Sequence, residues 1–357
     1  MKTSRWLVAA LLGVSLVASA CSGGGGGSAD DDPTEGDLID GERLVSFSGA
    51  NGLKLAGTLG VPSDNARNAP GVLIIPSVGP TTDRDGIQDA TQGDQVYKDI
   101  SAAFNAAGMV TLRYDRRGIG ASKLESGTKP LYEDMIEDAR GALRFLAQRR
   151  EVGSAAVALV GHDVGGWMAL RLAATEDKVK SVALVSTPAR KLVDVYAESF
   201  RQTHGPASAD RFRASVDTLL TTGAVPGPTD MAAEHQSVLG QGQDELLKGV
   251  FTADPLADAA RVKVPVLVTA GTQGTGVTSA DAERMAQAIG GSAQLSVFNL
   301  GPTLRELPPD PGSIRFDPND ESTHVFGARP VIGVKRDGPA VEKVTSFLST
   351  TLRAAKA

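Results

Sequence analysis

AAVALVGHDVGG, residues 155–166, is the stretch that decides the fold. Its apolar first half predicts a buried strand, and residues 167–175, which follow the glycines, predict a helix. A strand, a sharp turn lined by glycines and a helix together expose a catalytic nucleophile at the edge of a sheet. The apex of this turn is Asp163, where an enzyme with a serine nucleophile would carry Ser.

Two interpretations of Asp163 stay open at this point. As a nucleophile, a carboxylate attacks carbon and forms an ester that water then cleaves. As the first residue of a helix, a carboxylate is favoured by the helix dipole and needs no catalytic role. We expect the neighbouring His162 to be a packed structural histidine, because its side chain leaves the turn in another direction.

The rest of the chain alternates between two hydrophobic patterns. Apolar or alternating runs predict strands at residues 43–48, 53–61, 71–78, 109–114, 155–160, 179–185, 264–270 and 293–300. Amphipathic stretches predict further helices at residues 95–107, 133–150 and 340–355. Strands that alternate with helices indicate an α/β fold with a mostly parallel central sheet and helices on both faces. The first two strands are expected to pair as an antiparallel hairpin.

Residues 189–260 break this alternation. Four segments there, 192–202, 209–221, 228–239 and 244–253, favour helix, and none favours strand. A helical insertion after a sheet strand lies over the carboxyl edge of the sheet, where α/β folds bind their ligands. We therefore predict a helical cap at 189–260, core segments at 42–188 and 261–357, and a small-molecule ligand or substrate under the cap.

The first twenty residues have the pattern of an export signal. Lys2 and Arg5 precede an apolar stretch, residues 6–17, that is shorter than the ~20 residues needed to span a bilayer. Small residues directly before Cys21 resemble a bacterial lipobox, which implies acylation of that cysteine. The alternative is a plain secretory peptide cut after Ala20 with an incidental cysteine.

The residues after Cys21 support a tether. Residues 21–41 are rich in glycine and aspartate and cannot bury apolar surface, so they predict a flexible linker. The sequence thus predicts an exported protein held at the outer face of a bacterial membrane by a lipid anchor alone.

Composition narrows the possible partners. The formal net charge is -6 and no basic cluster is present, which argues against nucleic acid as a partner. A single cysteine leaves no internal disulfide to support the core. We expect no metal and no cofactor.

An oxyanion hole is expected beside the elbow. The turn after the strand at 71–78 can aim backbone N–H groups of Val78 and Gly79 at a developing oxyanion, together with the N–H of Val164. Trp167 lies just past the elbow, where we expect it to border the pocket.

Four motifs follow one another in a characteristic order. They are GPTTDRDG at 79–86, YDRRGIGAS at 114–122, GHDVGG at 161–166, and DPL at 254–256 before VKVPVL at 262–267. In this order they resemble the exported bacterial esterases of the α/β-hydrolase superfamily, in the branch similar to serine aminopeptidases. The resemblance covers roughly residues 42–350 and implies an α/β-hydrolase fold. The charges of the second motif are expected to brace the loops around the site.

The catalytic triad that the resemblance implies is not present. The family's serine falls on Asp163, its acid on Gly274 and its histidine on Thr303 or a neighbour. A serine hydrolase without its triad keeps only ~10³–10⁴ of acceleration over water and loses a factor of ~10⁶. The first hypothesis is therefore a catalytically impaired hydrolase fold that acts by binding a ligand.

The elbow also resembles haloalkane dehalogenases and epoxide hydrolases, in which Asp is the nucleophile. Such an enzyme needs a histidine to activate water, and His324, in a loop after the last strand, is the candidate base. His204 and His235 fall in the predicted cap. An active hydrolase of esters or related small substrates through Asp163 is the alternative hypothesis, and a purely structural envelope protein is a third.

Overall fold

The sheet is the frame on which every candidate residue is placed. The structure is a computed structural model that describes residues 41–63, 66–78, 83–86, 95–153, 155–240, 242–272, 276–300 and 338–355. The predicted signal peptide, Cys21 and the tether up to residue 40 lie outside these ranges.

Eight strands form one sheet within the described ranges, in the order β1-β2-β4-β3-β5-β6-β7-β8. They are β1 Glu42–Ser48, β2 Lys54–Gly60, β3 Gly71–Ile75, β4 Val110–Tyr114, β5 Val157–His162, β6 Val179–Val185, β7 Val266–Gly271 and β8 Ala293–Phe298. β1 and β2 form the predicted antiparallel hairpin, and β2 also pairs antiparallel with β4. All later neighbours are parallel, which confirms the predicted, mostly parallel sheet.

Helices cover both faces of the sheet. The core helices are α1 Val96–Ala106, α2 Tyr132–Gln148, α3 Val164–Ala173, α8 Ser279–Ile289 and α9 Pro339–Ala354. α1 and α9 pack on one face, and α2, α3 and α8 pack on the other. Alternate residues of β5 therefore enter different cores: Val160 packs in the cluster with α1, and Leu159 packs in the cluster with α2. Burial on both faces explains why these strands appear in the sequence as continuous apolar runs.

The strand at 71–78 ends earlier than its apolar pattern predicts. β3 stops at Ile75 because Pro76 has no N–H to donate to the sheet. The segment Pro76–Val78 is therefore released from the sheet at its carboxyl edge, close to the turn after β5.

The chain between β6 and β7 is helical in the described ranges. It contains α4 Leu192–His204, α5 Pro206–Thr222, α6 Asp244–Thr252 and α7 Pro255–Ala259, which we call the helical insertion. Asp254 caps α7 by accepting the backbone N–H groups of Leu256 and Ala257.

The predicted helix at 228–239 is wrong. Only Ala233–His235 forms a short 3-10 helix there, and a turn closes from the Asp230 N–H to the Gly227 carbonyl. Turns take the place of the helix: the His235 N–H donates to the Ala232 carbonyl, and the Val238 and Leu239 N–H groups donate to the His235 carbonyl.

No helix in the part of the chain that the structure describes is long and apolar enough to cross a bilayer.

A buried histidine lies at the centre of the helical insertion. The ring of His235 is fully buried, with the rings of Phe200 and Phe212 at centroid distances of 4.7 and 5.4 Å. The Ser208 hydroxyl donates to Glu234 Oε1 at 2.6 Å, so the 3.0 Å bond to His235 must be donated by the Nε2–H of the ring. His235 Nδ1 is then an acceptor without a hydrogen-bond partner.

We expect His235 to make the fold sensitive to acid. Burial lowers the pKa of the His235 ring, whereas Glu234 opposes this shift and Arg211 and His204 add to it. The unfolded chain therefore binds more protons than the folded one, and stability falls as the pH drops through the ordinary histidine pKa of ~6.5. His235→Phe keeps the aromatic packing and removes the titration, so its unfolding midpoint should depend less on pH.

The measurement is urea unfolding of both proteins between about pH 5 and about pH 8. His204→Gln is the matched control, because that ring lies at the surface of the same insertion. An acid-side slope that is unchanged in His235→Phe would contradict the assignment.

Candidate active site

The turn after β5 has the geometry of a nucleophile elbow. β5 ends at His162, α3 begins at Val164, and Asp163 between them has φ 52° and ψ -125°. A positive φ is strained for a residue with a side chain. The Asp163 N–H donates to the Val185 carbonyl at 2.9 Å, and the Asp163 carbonyl accepts the Gly166 N–H at 3.0 Å. The backbone thus holds the Asp163 side chain at the carboxyl edge of the sheet.

Close packing between α3 and the strands depends on glycine. A Cβ at Gly161 would lie 2.5 Å from the Gly166 Cα. A Cβ at Gly165 would collide with the backbone carbonyls of Ile75 and Pro76 at the end of β3. Only glycine allows the first turn of α3 to approach both strand ends this closely.

The Asp163 carboxylate is bound to a serine from the neighbouring loop. Ser77 Oγ donates to Asp163 Oδ2 at 2.6 Å, a short bond of the kind made between a hydroxyl and a carboxylate. The N–H of Val164, one of the expected oxyanion donors, is close enough to favour the charged carboxylate, but it is not aligned as a cap hydrogen bond.

Tyr97 from α1 fixes the loop that carries Ser77. Its phenol oxygen accepts the Ser77 N–H at 3.1 Å and lies 2.8 Å from His162 Nδ1. Which of the phenol and the His162 ring donates in this second bond depends on the tautomer of the ring. His162 is thus held by Tyr97, in accordance with a structural role.

The environment of Asp163 disfavours its charge. Burial raises the pKa of the Asp163 carboxyl, and the charge of His162, the Ser77 hydroxyl and the Val164 N–H offset this only in part. Burial likewise raises the pKa of Tyr97 and Tyr196, and the charge of Asp163 raises both further. Tyr196 lies on α4, so the helical insertion comes within electrostatic reach of the apex.

The charged turn after β4 braces the loops around the elbow. Asp115 accepts the Arg84 N–H at 2.9 Å and the Arg84 guanidinium at 3.0 Å. Arg117 makes two bonds to Asp138 on α2, at 2.6 and 2.7 Å. These ion pairs join the loop at 83–86 to the turn after β4, and that turn to α2.

The edge residues after β7 and β8 are a neutral pair. Thr272 Oγ1 donates to Asn299 Oδ1 at 3.0 Å. Gly274 and Thr303, the positions on which the family's acid and histidine fall, lie outside the described residues, as do Gly79 and the candidate base His324.

Asp281, the next carboxylate after β7, is committed to another role. It lies in the first turn of α8, forms a capping box with Thr278 and accepts two bonds of 2.8 Å from Arg190. Burial opposes its ionisation, but the bonds from Arg190 and Thr278 hold the pKa of Asp281 below its usual range. It cannot orient a catalytic histidine while it is bound in this way.

Each histidine in the described ranges has a hydrogen-bond partner other than Asp163, although His162 lies within electrostatic reach of that carboxylate. His162 bonds to Tyr97, His204 to Thr203 and His235 to Ser208. No three His, Cys, Asp or Glu side chains converge as a metal site would require, within the residues that the structure describes.

Other predicted site residues lie around the elbow in different settings. Val78 is half-buried directly after Ser77, and Val164 is fully buried. Trp167 is buried below the elbow, where its indole N–H donates to the Pro188 carbonyl at 2.7 Å. Sequence reasoning did not single out Ser77, Tyr97 or Tyr196. Ser77 lies in the expected oxyanion loop, but nothing local indicates its bond to a residue 86 positions away.

Known proteins resemble this chain over the same region. The family model for serine aminopeptidases, S33, matches residues 93–300. Esterase EstD of Thermotoga maritima is 24% identical over 230 residues, which are 64% of this chain and 52% of that protein. This chain therefore spans about half the length of that curated relative.

Solved structures share the fold. An esterase from Pyrococcus furiosus superposes with a TM-score of 0.52 at 16% identity, over 73% of this chain and 82% of the esterase. The esterase domain of a Rhodothermus marinus protein gives a TM-score of 0.51 at 18% identity, over 87% of this chain and 99% of the domain. The predicted α/β-hydrolase fold is confirmed.

Gly165→Ala should damage the elbow. The new methyl group must push α3 away from the end of β3, at a cost of about 1–3 kcal/mol for overpacking. Gly291→Ala is the matched control, because its Cβ would meet no atom within 4 Å. The measurement is chemical denaturation of both variants, and equal stability of the two would show that the close approach is unimportant.

Proposed function

We propose that this chain, which belongs to the serine aminopeptidase (S33) family of α/β-hydrolases, uses the family's esterase-like fold to bind a small molecule and no longer performs triad hydrolysis. The ligand binds at the carboxyl edge of the sheet, between the elbow and the helical insertion. One observation carries the proposal: the apex side chain is a carboxylate bound to Ser77, and no histidine in the described ranges is bonded to it.

A carboxylate at the apex opposes serine-type acyl transfer in two ways. It supplies no hydroxyl for attack, and its charge lies near the Val164 N–H, where a developing oxyanion would need stabilisation. Two negative charges at that place would repel each other.

The alternative is a hydrolase with Asp163 as the nucleophile. The strained backbone at Asp163, with φ 52°, favours it, because such a conformation is typical of a functional apex. That mechanism requires a base for the second step, and His324 is the candidate from the sequence. Whether ester turnover depends on Asp163 therefore decides between the two functions.

We expect no ester turnover. Purified protein, Asp163→Asn and Asp163→Ser should all hydrolyse p-nitrophenyl acetate and p-nitrophenyl butyrate at the rate of buffer. Serine alone does not restore the reaction, because Gly274 and Thr303 stand at the positions of the acid and the base. Circular dichroism of each variant controls for folding.

Two results would change the conclusion. Turnover by the unmodified chain that disappears in Asp163→Asn would establish an aspartate nucleophile. Turnover that appears only in Asp163→Ser would show that a working base and acid are still present.

We also propose that the protein is exported and anchored by acylated Cys21, on the support of the lipobox-like residues before it. In bacteria grown with an alkyne analogue of palmitate, the full chain should incorporate the label and fractionate with membranes. Cys21→Ala should lose both properties, and Ser22→Ala, the matched control, should keep them. Equal labelling of Cys21→Ala would refute the anchor.

A further inference from the structure

Buried carboxylates in this protein are paired with arginine. Each of the five acidic residues that are almost fully buried in the described ranges has such a partner. The pairs are Asp115 with Arg84, Asp138 with Arg117, Glu151 with Arg149, Asp258 with Arg171, and Asp281 with Arg190. This pairing is expected, because a carboxylate removed from water is stable only when its charge is compensated.

Asp163 differs from these five carboxylates, because it is half-buried at the elbow. Its side chain makes no ion pair with an arginine or a lysine in the part of the chain that the structure describes. The groups that favour its charge are the neutral Ser77 hydroxyl, the neutral Val164 N–H and the adjacent His162 ring. Within the described ranges, the charge of Asp163 is therefore only partly compensated.

Two further hydroxyl groups belong to the elements around the Asp163 carboxylate. The phenol of Tyr196 on α4 lies within electrostatic reach of it. Ser186 lies at the same edge, directly after the Val185 carbonyl that accepts the Asp163 N–H. Ser186 is 2% exposed, has φ 46°, and its Oγ has no hydrogen-bond partner. A buried hydroxyl without a partner is free to form a hydrogen bond with a ligand.

We propose that the ligand of this site carries an ammonium group that binds the Asp163 carboxylate, an inference that rests on the proposed binding function. An ammonium group supplies the missing positive charge and three N–H donors. The carboxylate accepts one of these donors, and the hydroxyl oxygens of Tyr196 and Ser186 are further acceptors on the elements around the elbow. Anionic ligands are excluded by repulsion, and neutral ligands leave the charge uncompensated.

Proton release accompanies binding. Burial raises the pKa of Asp163, and a bound cation lowers it again, so a fraction of the free protein loses a proton when the amine binds. Affinity for amines should consequently fall as the pH drops through the raised pKa of the free carboxyl.

The test uses two series of ligands. Within each series the hydrocarbon group stays similar and the polar group is positive, neutral or negative. Isothermal titration calorimetry of the purified full chain compares cyclohexylamine, cyclohexanol and cyclohexanecarboxylate, together with n-butylamine, n-butanol and butyrate. The two amines should bind best, and Asp163→Asn, which keeps the shape and an acceptor for Ser77, should weaken them at least about tenfold. Asp217→Asn, at an exposed acid of α5, is the matched control and should bind amines like the unmodified chain.

Titration in two buffers with different ionisation enthalpies measures the released proton. The inference is overturned if neither amine binds, if the alcohols or the carboxylates bind as well as the amines, or if Asp163→Asn leaves amine affinity unchanged. Binding of alcohols or carboxylates without ester turnover would leave the binding function intact and remove only the amine. Ester turnover that depends on Asp163 would instead overturn the proposed function itself.

Discussion

The close approach of α3 to the ends of β3 and β5 is the constraint on which the site depends. Gly161 and Gly165 leave no Cβ in the contact, so the first turn of the helix rests directly on the strand ends. The chain must then reverse within one residue, and Asp163 takes a positive φ to do so. A side chain in that conformation points out of the sheet edge whatever its chemistry. The fold therefore presents Asp163 as it would present a serine.

A carboxylate in that position changes the electrostatics of the whole edge. Backbone N–H groups at a hydrolase elbow stabilise a negative charge that exists only in the transition state. Here the negative charge belongs to the protein, and Ser77 holds it at 2.6 Å before any ligand arrives. Tyr97 fixes Ser77 and His162 together, so the network has few ways to rearrange. A site of this kind is better suited to binding a positively charged group than to stabilising the negative charge of a transition state.

The remaining buried charges stabilise the frame around the site. Arg113 on β4 is almost fully buried and bonds to Glu42 on β1 and to Asp85 in the loop at 83–86. Arg190, just before α4, reaches Asp281 on α8. Both arginines join segments that are distant in the sequence, and both are compensated within the protein. Asp163 differs from these carboxylates because its main contact is a neutral hydroxyl.

Periodicity in the sequence determined the strands, the core helices and the elbow, because burial on one or two faces leaves a repeat that is visible locally. The glycines at 161, 165 and 166 also located the apex residue before any contact was known. Residues 228–239 are the exception: their side chains favour helix, but the structure forms turns and a short 3-10 helix there. The partners of Asp163, His162 and Asp281 came only from the tertiary structure. Those bonds join residues 65 to 91 positions apart, and packing of the sheet layers, which leaves no local pattern, brings them together.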